Sequence, residues 1–167
     1  MPKPLRPGEL RLETAPPEGP ALRFIGRIRS PWGPGDCPRN ISRARETGRP
    51  ARVELDPAYT PALLGLAPGR AVILLYWMDD ARRDLLQQAP AHLDGPRGTF
   101  AIRSPNRPNT ISQSTVMLTG VDGETGVLEI DAIDCYDGTP LLDIKPWMPR
   151  IDTPPQAPGA QAHKPRR

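Results

Sequence analysis

Ser114-Thr115-Val116-Met117-Leu118-Thr119-Gly120-Val121 and Val127-Leu128-Glu129-Ile130-Asp131-Ala132-Ile133 flank the five residues Asp122-Gly123-Glu124-Thr125-Gly126. Two β-rich runs joined by a short Gly- and Asp-rich link read as a hairpin. Upstream, Ala71-Val72-Ile73-Leu74-Leu75-Tyr76-Trp77 is unbroken apolar sequence, which suits a strand buried on both faces. Leu22 to Ile28 alternates, with Leu22, Phe24 and Ile28 on one face. Arg52-Val53-Glu54-Leu55, Thr99 to Ile102 and Leu141 to Ile144 supply further short strands. Asp56 before Pro57 marks the start of a short helix through Leu64. Asp80 to Gln88 reads as a second helix. Ser30 to Gly48 reads as a loop.

Seven or so short strands with few helices predict a mainly β fold, closed as a single small antiparallel β-barrel. Closure removes the exposed edges. Composition agrees. Pro is 24 and Gly 15 of 167 residues, which excludes long helical bundles, and with 5% aromatics the core must rest on Leu, Ile and Val. No Walker A pattern and no G-x-G-x-x-G after a strand occurs, so the fold is expected to be non-Rossmann. The longest apolar run, Ala71 to Met78, is too short to span a bilayer. Two cysteines, Cys37 and Cys135, and no apolar leader predict a reduced, cytoplasmic chain. With His92 and His163 the only histidines, no His-based metal site or Ser-His-Asp triad is expected.

Residues 1–21 carry six Pro and little apolar surface, and 153–167 read the same way. Both are expected to be disordered, leaving 22–152 as the folded domain. That domain is neutral, and the net charge of +3 comes from Lys164, Arg166 and Arg167. Its charges are segregated. Leu22 to Arg52 holds eight Arg, and Gly120 to Ile144 holds seven acids and no base. Either the segments pair, or Arg39, Arg43, Arg45 and Arg49 form an anion-binding loop.

Three clusters exceed what packing asks for. Arg103-Ser104-Pro105-Asn106-Arg107-Pro108-Asn109 is a polar loop stiffened by two Pro, with two Arg able to clamp a carboxylate or phosphate. Asp137-Gly138-Thr139-Pro140 is a turn between strands. Asp143 and Lys145 place opposite charges on one strand face.

These clusters carry a resemblance. Ile25-Gly26-Arg27-Ile28-Arg29-Ser30-Pro31-Trp32 resembles an I-G-x-I-x-S-P-aromatic opening. Thr99-Phe100-Ala101-Ile102-Arg103-Ser104-Pro105-Asn106-Arg107-Pro108-Asn109 resembles V-F-A-T-R-S-P-F-R-P-N. Asp134 to Trp147 resembles D-L-x-D-G-T-P-V-L-D-I-K-P-Y. In that order they are the motifs of the TrmO-like (YaeB-like or TsaA-like) methyltransferases, and the match spans residues 24 to about 150. The resemblance implies a small barrel that binds S-adenosylmethionine, a homodimer with cofactor near the interface, and N6-methylation of threonylcarbamoyl-adenosine at tRNA position 37.

Carried over position by position, the resemblance implies cofactor contacts at Pro38, Arg39, Asn40, Asp79, Asp80, Arg103, Gln113, Cys135, Tyr136, Asp137 and Gly138. Asp137 or Asp143 is the expected proton acceptor. Arg43, Arg107, Asn109 and Lys145 are candidates for acceptor binding, although Lys145 is also placed to pair with Asp143. The chain departs from the pattern where Asp79-Asp80 replaces His-Gln, where Asn106 replaces an aromatic, and where Thr110-Ile111-Ser112-Gln113 replaces P-I-G-L. The readings left open are a tRNA methyltransferase, a same-fold enzyme with a small-molecule acceptor, and a non-catalytic cofactor- or RNA-binding module.

Overall fold

The computed structural model describes residues 4–11 and 21–155. Six antiparallel strands close a barrel: β2 (Gly26–Arg29), β3 (Ala51–Leu55), β8 (Val127–Ile130), β7 (Ile111–Asp122), β4 (Ala71–Trp77) and β9 (Thr139–Pro146), in that order around the wall. β9 makes the closure, since Thr139 to Leu141 pair with β2 and Leu141 to Pro146 pair with β4. A second, small sheet joins β1 (Leu10–Arg11), β5 (Leu85–Gln88) and β6 (Arg97–Gly98).

The barrel interior is aliphatic. Ile28, Val53, Val72, Leu74, Val116, Leu118, Leu128, Ile130 and Leu141 are buried in one cluster. Trp32 closes it, its indole Nε1 donating to the Ile133 carbonyl at 2.8 Å. β4 carries three consecutive buried residues, Val72, Ile73 and Leu74, as its unbroken apolar run predicts. The β7–β8 hairpin forms at the expected link, where Asp122 Oδ1 accepts from the amides of Glu124 and Thr125.

Five local expectations are corrected. Asp80 to Gln88 is not a helix, because Leu85–Gln88 pairs on both sides, with Leu10–Arg11 and Arg97–Gly98. Thr99–Ala101 is a 3-10 turn, not a strand, its geometry fixed by the buried hydroxyl of Thr99 donating to the Leu85 carbonyl. Within the expected loop, Ile41–Glu46 forms helix α1, capped by Asn40, whose Oδ1 accepts from Arg43 N at 2.9 Å. Pro57–Leu63 is 3-10 rather than α-helical, with Pro61 inside it and no side-chain cap from Asp56. β2 starts only at Gly26, so Ile28 enters the core while Leu22 and Phe24 stay exposed.

The disorder expected for the termini falls partly outside the described residues. Of residues 1–21, the described Leu10–Arg11 is a paired strand, and Arg11 Nε lies 2.9 Å from Asp84. At the other end, helix α2 spans Pro149–Asp152, and most of 153–167 lies outside the described residues. The segregated charges do meet, through Arg45 with Asp131 at 2.6 Å and Arg29 with Asp137 at 3.6 Å.

Candidate functional site

One end of the barrel is built from the last residues of β4, the first of β7 and the β8–β9 connection. The 38–45 and 100–107 segments lie over it. Two cavities open there. The larger, about 700 Å³, is lined by Arg39, Asn40, Arg45, Arg103, Arg107, Gln113 and Asp134 among others. The smaller, about 290 Å³, is lined by Trp77, Asp79, Asp80, Asn106 and residues 136–140. They adjoin, since Tyr76 lines one and Trp77 the other, and likewise Ser104 and Pro105.

In the larger cavity the cations are held differently. Arg45 is spent on structure, donating to Asp131 and to the Thr115 carbonyl, both at 2.6 Å, and so ties α1 to β7. Arg103 is exposed and makes one contact, from Nη2 to the Gln113 carbonyl at 2.9 Å. Arg39 is exposed and has no carboxylate partner among the described residues. Arg107 is committed to its own loop, donating to the carbonyls of Ser104 (2.9 Å), Ile102 (2.7 Å) and Thr99 (3.3 Å). Its guanidinium therefore fixes loop shape, which the expectation of an acceptor-binding role did not include.

One acid lies among these cations. Asp134 Oδ1 accepts from Ser114 Oγ at 2.8 Å and from Tyr76 Oη at 3.2 Å. Burial, then the charge of Asp134, pushes the Tyr76 phenol well above its ordinary value, so it stays a donor. Sequence reasoning missed Asp134, Ser114 and Tyr76. Asp134 was within reach, because it opens the D-C-Y-D-G-T-P string. The other two lie inside strands and read as core.

The smaller cavity is acidic and its turn is rigid. Asp137 Oδ1 accepts from Ser30 N at 3.1 Å, and Asp137 N donates to the Trp32 carbonyl. Gly138, at φ +79°, takes a backbone conformation that side-chain-bearing residues rarely adopt. Its carbonyl accepts from Arg27 Nη1 at 2.9 Å. Thr139 Oγ1 donates back to the Tyr136 carbonyl at 2.7 Å. Asp79 and Asp80 stand exposed at the rim. Asn106 ties the loops together, its Oδ1 accepting from Arg82 N at 3.0 Å and its carbonyl from Gln88 Nε2 at 2.6 Å.

Arg39, Asn40, Arg103, Gln113 and Arg107 thus gather in one cavity, and Asp79, Asp80, Tyr136, Asp137 and Gly138 in its neighbour. The rest do not join them. Pro38 lines neither cavity. Cys135 is fully buried and its thiol is pushed far up by burial, so it offers a site only its backbone. Cys37 is pushed up to about 11 by burial, so it is an inert thiol at neutral pH. Arg43 pairs with Glu46 on α1 at 2.7 Å. Asn109 is exposed at the end of the loop and lines neither cavity. Asp143 pairs with Lys145 at 2.7 Å and lines a separate apolar groove toward the start of β4.

Side by side, a cationic cavity and an acidic one suit a ligand carrying a carboxylate, an ammonium and a further positive charge. S-adenosylmethionine has all three, so the donor set fits it. Fold and cavities together define a small closed antiparallel β-barrel with two adjoining cavities at one end, and no helix-flanked parallel sheet occurs among the described residues.

Comparison with known proteins then supplies the family. Residues 27–153 match the tRNA-methyltransferase O N-terminal domain, and the chain belongs to that family. A crystal structure of TrmO from Pseudomonas aeruginosa superposes with a TM-score of 0.64 at 33% identity, covering 84% of this chain and 62% of that one. The "Probable S-adenosyl-L-methionine-binding protein VirR" of Rhizobium radiobacter is 40% identical over 78% of this chain and 73% of its own length. A "Probable S-adenosyl-L-methionine-binding protein" of Archaeoglobus fulgidus is 39% identical over 79% of this chain, which spans only 35% of that relative.

Proposed function

We propose that the chain is an S-adenosylmethionine-dependent N-methyltransferase acting on N6 of threonylcarbamoyl-adenosine at tRNA position 37. The observation that carries this reading is the adjoining pair of cavities, cationic and acidic, that gathers residues from the family's motif positions, some kept and some replaced. When bound, the cofactor supplies a methyl group on a positively charged sulfur. Asp79 and Asp80 would hold its ammonium, and Arg103 and Arg39 its carboxylate. The 136–138 turn offers backbone groups and Asn40 its remaining amide donors. Gln113 lies beside Arg103 on the same wall.

Methyl transfer asks chiefly for alignment of donor and acceptor, which the stiffened 103–109 loop and the 136–139 turn enforce. The acceptor nitrogen must lose a proton, and Asp137, held by Ser30 N, is the acceptor at the smaller cavity. Asp143 lines the apolar groove rather than either cavity and is paired with Lys145, so the part falls to Asp137.

The protein works as a homodimer in the cytoplasm in this reading. A small-molecule acceptor is the second reading, favoured by Asp79-Asp80 and Asn106 standing where the family pattern has His-Gln and an aromatic. Mass spectrometry of tRNA nucleosides from a deletion strain decides between them. Loss of the N6-methyl nucleoside supports the first, and an unchanged profile overturns it. Binding measured against salt gives an independent check, because an RNA contacted through several phosphates weakens steeply with salt and a neutral small molecule does not.

A further inference from the structure

Phe100 is 87% exposed, yet it is flanked by some of the most firmly held residues of the site end. Thr99, its neighbour, is 2% exposed. The Thr99 hydroxyl donates to the Leu85 carbonyl at 2.9 Å and accepts from Gln88 Nε2 at 3.0 Å. Arg107 grips the carbonyls of Thr99 and Ile102 from the other side. The 3-10 turn Thr99–Ala101 is thus pinned fore and aft, and the one aromatic it carries points into solvent beside the larger cavity, which it lines. The same cavity presents the exposed cations Arg39 and Arg103. An aromatic side chain carried on a pinned backbone next to exposed guanidinium groups is the combination that stacks a nucleobase, since every base has a π-face.

We infer that Phe100 is a stacking platform for a purine at the mouth of the Arg-lined cavity. This rests on the methyltransferase reading only for the source of the purine, which is either the adenine of the cofactor or an unpaired adenine of the RNA acceptor. The test titrates the full chain with S-adenosylhomocysteine by calorimetry and with an RNA hairpin bearing a loop adenosine by fluorescence anisotropy. The variants are Phe100→Ala and Phe100→Trp. Because the side chain is exposed, thermal melts of both variants should match the parent.

Phe100→Ala should weaken one probe by about tenfold to hundredfold, the loss expected for one base–aromatic stack. Phe100→Trp should retain binding and show its added fluorescence quenched by that probe. A loss confined to S-adenosylhomocysteine assigns the platform to the cofactor, and a loss confined to the hairpin assigns it to the acceptor. Unchanged binding of both probes overturns the platform while leaving the methyltransferase reading intact. So does a loss that sedimentation traces to dissociation of a dimer, since Phe100 is then an interface residue. A parent chain that binds neither probe overturns both.

Discussion

Arg103 and Arg107 lie four positions apart and serve different ends. Arg103 gives a single Nη2 donor to the Gln113 carbonyl and leaves the rest of its guanidinium in the cavity mouth. Arg103→Ala should weaken S-adenosylhomocysteine binding by roughly tenfold to hundredfold in calorimetry, the effect of one lost charge-assisted hydrogen bond, with an unchanged melting temperature. Parent-like affinity would show that the motif's cofactor contact does not carry over. Arg107 holds three carbonyls of its own loop. Arg107→Ala strands those acceptors and should cost about 1–3 kcal/mol, read as a melting temperature lower by several degrees. An unaltered melt together with lost turnover would instead return Arg107 to acceptor binding.

At the scale of elements, β2 and β3 approach more closely at Gly26 than any side chain allows. A Cβ there would fall onto the Glu54 carbonyl oxygen and within 2.8 Å of Leu55 Cα. Gly26→Ala must push two paired backbones apart and should destabilise by about 2 kcal/mol or more, measurable by urea unfolding. A change under 0.5 kcal/mol would mean that β2 shifts register freely.

The strands of the barrel were legible because period-2 alternation and apolar runs are intrinsic to each segment. β4, β7 and β8 show this directly. The misread elements are those decided by distant partners. Leu85–Gln88 has no strand alternation of its own and is drawn extended by β1 and β6. Thr99–Ala101 has strand-like residues, but Thr99 is turned inward to Gln88 and Leu85. Helix α1 did announce itself, by Asn40 three residues before Arg43, though four surrounding arginines drew the reading toward a loop. The candidate site was legible where motifs fall in loops. It was hidden where Tyr76 and Ser114 reach Asp134 from within strands, because inward polar groups there look like any other core position.

For the molecule as a whole, acid should be the destabilising direction. Hydrogen bonds from Arg29, then from Arg52, hold Glu54 below its ordinary value, and Arg82 does the same for Asp84. A carboxyl depressed only in the folded state is protonated first in the unfolded chain as pH falls. Its stabilisation is therefore complete above the ordinary carboxylate range and disappears as pH drops through the folded value. Melting temperature should hold steady near neutrality and fall below about pH 4.5. Glu54→Gln should lower the neutral plateau and flatten part of that decline, and added salt should blunt the effect because these pairs are partly exposed. A melt independent of pH down to 3 would contradict this.

β4 runs from the apolar groove, at Ala71 and Val72, to the paired cavities, at Tyr76 and Trp77. Its seven residues span about 20 Å. Trp147 and Met148, which lead into α2, line the groove, where Leu64 stands 96% exposed. The chain therefore leaves the barrel at the pole opposite the paired cavities. A fluorophore placed at Thr153, just past α2, will sit on the far side of the barrel from the cavities and leave their mouths uncovered.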